Sequence, residues 1–167
     1  IDLNIKAYIE TLIYDNLNIN DVKGSMQLRG GVLSMEGVNM KMLDGSLSMN
    51  GYYKALSKDK GETSLKLNIE QFNINKAFLA FNTVKKLAPI AEKCYGNVSC
   101  DLTMFSYLDN NMKPIMNSLA GSGKLLSKNI KIENLNTLDK IASALNSDRL
   151  KKLELKDINI SFTFSDG

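Results

Sequence analysis

The sequence predicts an α+β fold: a curved, mostly antiparallel β-sheet, built as a meander of hairpins, with two or three helices packed on its apolar face. Three observations predict it. Apolar and polar residues alternate with period two through most of the chain, the pattern of strands with one buried face. The links between successive alternating runs are short, and short links join antiparallel neighbours because parallel pairs need long crossovers. Only two segments, near 75–94 and 138–145, change to helical spacing.

The first run sets Leu3, Ile5, Ala7 and Ile9 against Asp2, Asn4, Lys6 and Tyr8. The second sets Val22, Met26 and Leu28 against Lys23, Ser25, Gln27 and Arg29, and a Gly30-Gly31 turn leads to Leu33 and Met35. After Gly37 come Val38, Met40 and Met42. The pair Asp44-Gly45 reads as a hairpin turn, because both residues tolerate positive φ, and Leu47 and Met49 follow it. A polar loop, 57–62, precedes Leu65, Leu67 and Ile69. From Asn75, a candidate N-cap, Phe78, Phe81 and Leu87 fall at helical spacing until Pro89 breaks or restarts the helix. Val98, Cys100, Leu102 and Met104 alternate again, and a loop or turn surrounds Pro114. Ile130 and Ile132 form a short strand. Leu138, Ile141, Ala142 and Leu145 suit a helix capped by Thr137. Ile158, Ile160, Phe162 and Phe164 form the last strand.

At 167 residues the chain is sized for a single domain, spanning 1–167. It opens in mid-alternation without an initiator Met and reaches Gly167 where a hairpin turn is due. We therefore expect a piece of a longer protein, truncated at both ends, with any signal or anchor outside it and with open sheet edges inclined to pair. The net charge of +3 is too small and too scattered for nucleic acid. Histidine is absent, which excludes His-based catalysis and His-containing metal sites; two cysteines exclude a four-cysteine cluster.

Short motifs add little. Gly121-Ser122-Gly123-Lys124 lacks the first Gly and the final Ser or Thr of a phosphate loop, with Ser118 and Leu125 in those places. Ser57 and Lys60 have Ser-x-x-Lys spacing in a loop too polar to depress the lysine pKa. The sequons at Asn97 and Asn159 fall in strands. Arg149-Leu150-Lys151-Lys152 suits a solvated helix end or a lipid-headgroup contact. Cys94 and Cys100 flank a turn expected around Gly96 and are a candidate disulfide in an oxidising compartment; two unrelated thiols is the other reading.

Methionine is more informative. Of the 8 methionines, Met26, Met35, Met40, Met42, Met49 and Met104 fall on the apolar strand face, where β-branched residues are commoner. Flexible, polarizable Met fills gaps in a core, or lines a soft groove for acyl chains. On the second reading the groove residues are these six with Leu65 and Leu67, and Met40 and Met42 lie toward a rim.

The runs Asn20 to Leu28, Gly31 to Met35 and Met42 to Gly51 resemble the repeating hairpins of the AsmA-like family, with Ser46 in place of the second Gly of its turn. The stretches Phe81 to Ala91, Leu108 to Pro114 and Leu119 to Gly123, and the ending Phe162 to Gly167, resemble the C-terminal AsmA-like region of Bacteroidetes-type members. The resemblance implies a periplasmic module of a Gram-negative envelope protein, anchored in the inner membrane by a helix outside this piece. It implies a part in outer-membrane biogenesis and similarity to bridge-like lipid-transfer proteins, whose β-groove carries phospholipid or another envelope lipid. The alternative is a non-catalytic scaffold for outer-membrane protein assembly. Neither reading calls for catalytic residues, a cofactor, a metal or nucleic acid.

Overall fold

The computed structural model describes residues 2–15, 17–146 and 152–165. Within them one open sheet of eight antiparallel strands runs in chain order. The strands are β1 (Leu3–Tyr14), β2 (Leu17–Arg29), β3 (Val32–Met42), β4 (Gly45–Ala55), β5 (Gly61–Asn73), β6 (Cys94–Leu108), β7 (Ala120–Glu133) and β8 (Lys152–Phe164). Helices α1 (Ile74–Ala80) and α2 (Asn82–Leu87) and a 3₁₀ turn, Pro89–Lys93, link β5 to β6; α3 (Asn136–Ala144) follows β7. The curved sheet is as expected, and helix is a minor part of the chain.

The strands are longer than the alternation suggests, and the reason is a line of bulges. Asp21, Gln71 and Asp157 have φ of 52°, 54° and 51°, in the left-handed region. The ladder slips between Asn20 and Lys23 in β2, between Ile69 and Phe72 in β5, and between Leu126 and Ile130 in β7, where four steps of β7 face the three from Gly96 to Ser99 of β6. Each such residue reverses which parity faces the core. In β2 the apolar side passes from Leu17 and Ile19 to Val22 and Met26. In β8 it passes from Leu153 and Leu155 to Ile158 and Ile160. Gly37, at φ 59°, does the same inside β3, so two expected strands are one. The register Lys41↔Ser46↔Glu70, then Ser99↔Leu126, aligns the irregularities of β2, β5, β7 and β8 to within a residue or so, a crease that β3 and β4 cross with their own ladder intact. The Ser99 hydroxyl accepts from the Gln71 N–H at 3.1 Å, and the Ser127 hydroxyl donates to the Asn97 carbonyl at 2.7 Å. Both bonds satisfy backbone groups that the bulges release.

The turns need correction in detail. Leu43 and Asp44 (φ 53° and 66°), not Asp44-Gly45, are the two central residues of the β3–β4 hairpin, since Met42 pairs with Gly45. Leu43 adopts a conformation that bulky side chains disfavour, and its burial with Met42, Phe72 and Ala77 offsets the strain. Gly45 serves a close approach instead: a Cβ there would run into the Glu70 carbonyl. Helix α1 begins before Asn75. Asn73 caps it, its side chain accepting from the Lys76 N–H at 3.0 Å. Phe81, in extended conformation, separates α1 from α2, and Pro89 opens the 3₁₀ turn. In α3 the N-cap is Leu135, which puts Thr137 inside the helix. The Leu87 side chain and residues 149–151 lie outside the described residues; Lys152 pairs with Glu133 at 3.2 Å.

Two clusters make the core, both at one end of the apolar face. Met42, Leu43, Phe72 and Ala77 form the first, with Met40, Leu47 and Phe81 against it. Ile74, Ala91, Cys94 and Ile132 form the second, with Phe78 and Val84. The segment α1–α2 and its 3₁₀ turn therefore cap the sheet beyond the crease.

Candidate functional site: an apolar band across the sheet

Directly opposed residues of antiparallel strands share a face, so the register shows what lies beside what. One row crosses all eight strands: Ile5, Met26, Met35, Gly51, Leu65, Met104, Gly121, Phe164. A second runs Val38, Met49, Leu67, Leu102, Gly123, Phe162, and a third Met40, Leu47, Ile69, Cys100, Leu125, Ile160. Four of the eight groove candidates (Met26, Met35, Leu65, Met104) stand side by side in the first row. Met49 and Leu67 are in the second, and Met40 in the third. The eighth, Met42, is under the helical cap.

Burial divides this face. Met42 is 7% exposed, whereas Met26 is 37% exposed and Met35, Met49, Leu65, Leu67 and Met104 are half-buried. Met40 packs against the capped cluster. Met40 and Met42 are thus core residues at the closed end, not a rim. At the opposite corner of the face the segment before β7 folds over the sheet. Ser106, fully buried, donates to the Tyr107 carbonyl at 2.8 Å and meets the Ser118 hydroxyl at 3.3 Å. The Ser118 hydroxyl also accepts from the Tyr107 N–H at 2.9 Å. Between these closures the first two rows stay open.

The floor of the band is shaped by what its strands lack. Gly121 and Gly123 leave β7 bare, and the rings of Phe164 and Phe162, directly opposite on β8, cover it. A Cβ on Gly121 or Gly123 would lie 2.5 Å from those rings. This explains the small-residue run that superficially suggests a phosphate loop. At about 4.8 Å per strand the first row extends roughly 34 Å. That exceeds the roughly 15 Å occupied by the chains of one bilayer leaflet, half of a ~30 Å core.

No family model, no curated protein and no solved structure matches this chain. The AsmA-like resemblance rests on the quoted stretches of sequence alone.

The cysteines are not a bridge. Both are free thiols, and both lie in β6, where six extended residues separate their Cα atoms by roughly 20 Å. A disulfide needs less than about 7 Å. Gly96 makes no turn: it lies inside a continuous strand, beside the slip in the β6–β7 ladder. Burial raises the pKa of each thiol, and Asp101 adds to the rise at Cys100, so neither is an activated nucleophile. Ser57 and Lys60 are likewise apart in role: the Ser57 hydroxyl accepts from the Asp59 N–H at 3.3 Å, and the Lys60 ammonium sits 4.0 Å from the centre of the Tyr107 ring. Among the described residues no group of three or more His, Cys, Asp or Glu side chains could hold a metal, and no helix is long and apolar enough to cross a membrane.

A cleft of about 950 Å³ opens beside the capped end, lined by Leu17, Met42, Leu79 and Phe81 and by Lys41 and Lys76. Lys41 is paired with Asp21 at 2.8 Å and Lys76 with Asp44 at 2.7 Å. The Lys41 hydrogen bond is the main cause of the lowered Asp21 pKa, and Asp21 in turn raises that of Lys41. Alternation gives no hint of this cleft, which arises from a loop and a helix meeting at the sheet's end.

Proposed function

We propose that the chain is a periplasmic AsmA-like module that holds lipid acyl chains on this apolar band and hands them on in outer-membrane biogenesis. One observation carries the reading: a row of apolar or glycine positions crosses all eight strands and is left half-open, while the helices cover only the far end. A scaffold reading expects the same face to be filled by the chain's own helices, and the open rows favour lipid over it. The mechanism is passive. Each CH₂ removed from water contributes up to ~0.8 kcal/mol. A chain lying on one face loses only part of its water contact, so the hold is weaker than in an enclosed pocket and compatible with sliding. Methionine suits such a surface, since its unbranched thioether adapts to a moving hydrocarbon. The polar headgroup stays in water, and no bond is made or broken.

The test is native mass spectrometry of the chain after incubation with phosphatidylethanolamine vesicles. Co-purifying lipid that is lost in Met35→Asn/Met104→Asn supports the proposal. A folded chain that takes up no lipid, or a double variant that binds as the wild type does, overturns it.

A further inference from the structure

The helical cap, residues 74–93, has two sides of different chemistry. Its inner side holds Ile74, Ala77 and Ala91, all buried, with Phe78 and Val84 packed beside them. Its outer side carries Leu79, 64% exposed on α1, and Ile90, 51% exposed on the 3₁₀ turn, together with Lys85 and Lys86, exposed in the last turn of α2. Helix α1 packs directly on both α2 and the 3₁₀ turn, so these side chains share one small surface. The segment also concentrates charge. It contains four lysines (Lys76, Lys85, Lys86 and Lys93) and one acid, Glu92. Of the 21 basic and 18 acidic residues of the chain, these five removed leave 17 of each, so the whole net charge of +3 sits on the cap. Lys76 is held by Asp44 and Lys93 lies 3.8 Å from Glu92, whereas Lys85 and Lys86 make no ion pair among the described residues.

We propose that the outer side of the cap rests on the surface of an anionic bilayer, with Leu79 and Ile90 entering among the headgroups and Lys85 and Lys86 meeting the phosphates. An exposed leucine alone carries no meaning. Here two aliphatic tips stand beside two unpaired lysines, and that combination selects the partner. Protein–protein interfaces deplete lysine and favour aromatic side chains and arginine. A bilayer interface takes both groups at once: the apolar tips leave water, while the ammonium groups on their long stems stay at the level of the phosphates. Each lysine close to an anionic surface strengthens binding by about fivefold, and salt screens that attraction. The inference goes beyond the holding of acyl chains on the open band and does not depend on it, because none of these four residues stands in the rows of the band. The contact uses the covered end of the apolar face and leaves the open rows unobstructed.

The experiment is co-sedimentation of the 167-residue chain with vesicles of phosphatidylglycerol and phosphatidylethanolamine, against vesicles of phosphatidylcholine alone, with circular dichroism showing that each variant is folded. The wild type is expected to bind the anionic vesicles and not the neutral ones. It should lose most of that binding in ~0.5 M salt, where the Debye length falls to about 4 Å. Lys85→Glu/Lys86→Glu should weaken binding by about tenfold or more, and Leu79→Ser/Ile90→Ser should weaken it several-fold. Lys66→Glu/Lys124→Glu makes the same change in net charge on the polar face of the sheet and should cost far less. Met35→Asn/Met104→Asn should bind the vesicles as the wild type does, which separates this contact from lipid uptake on the band. A wild type that ignores the anionic vesicles, including one that self-associates instead, overturns the proposal. So does a Lys85→Glu/Lys86→Glu chain that binds as the wild type does, or a polar-face pair that weakens binding as much. Loss of vesicle binding in Met35→Asn/Met104→Asn would move the contact to the band and overturns it as well.

Discussion

Met42 and Met35 lie on the same strand and the same face of the sheet, yet they belong to two different regions. Met42 is closed in by Leu43, Phe72 and Ala77, while Met35 sits half-open between Met26 and Gly51. The difference does not come from the side chain or from the strand pattern, which are alike. It comes from the β5–β6 connection, long enough to place α1 over one end of the sheet and too short to reach the other. Identical alternation therefore builds a core in one place and a surface in another, and the two should respond differently to the same change.

The largest effect is expected at the capped end. Phe72→Ala removes the most buried large side chain of the first cluster, at 5% exposure, and should destabilise by about 3–5 kcal/mol, read from a urea melt. Met42→Asn belongs with it: lost packing plus a buried amide without a partner amounts to about 3 kcal/mol or more. A melt midpoint unchanged by either variant would break the division of the face. In the open band Met35→Asn/Met104→Asn should lower stability by only about 1 kcal/mol, the ordinary range for a partly exposed site, while abolishing lipid uptake. Lys66→Asn on the polar face, opposite Asn50 and Thr103, is the control that should change neither. The smallest effect is at the crease. Asp21→Asn keeps a residue type that tolerates positive φ and removes only a surface ion pair with Lys41, worth little in water. Asp21's folded pKa is lowered, so its contribution is present above its unfolded pKa near 3.8 and is lost as pH falls through the folded value. The wild type and Asp21→Asn should differ slightly at neutral pH, within the error of a thermal melt, and converge in acid.

The alternation made the sheet, its strand order and the shared face of the methionines legible, because period two is a local property and hairpins are local connections. What escaped a local reading is where the period changes phase. Asp21, Gln71 and Asp157 look like ordinary polar positions, and only their backbone shows that they rejoin Leu17 and Ile19, Phe72, and Leu153 and Leu155 to the apolar side. The cysteine pair failed for the same reason, since a glycine that suggests a turn lies here within one strand, opposite the place where β7 gains a residue. Which methionines are covered was not legible, because cover is supplied by a helix packed from elsewhere in the chain.

The aligned bulges have a mechanical meaning. A pleated sheet is stiff where its ladders run unbroken, and here the interruptions of β2, β5, β7 and β8 fall close to one line, while that at Gly37 lies off it and the β3–β4 and β4–β5 ladders cross the line intact. The line divides the apolar face in two: one part is covered by the helices, and the other carries the open methionines. An interrupted ladder resists bending less than an unbroken one, so strain put on the open part of the face would be taken up near this line before it reached the packed end that holds the fold together.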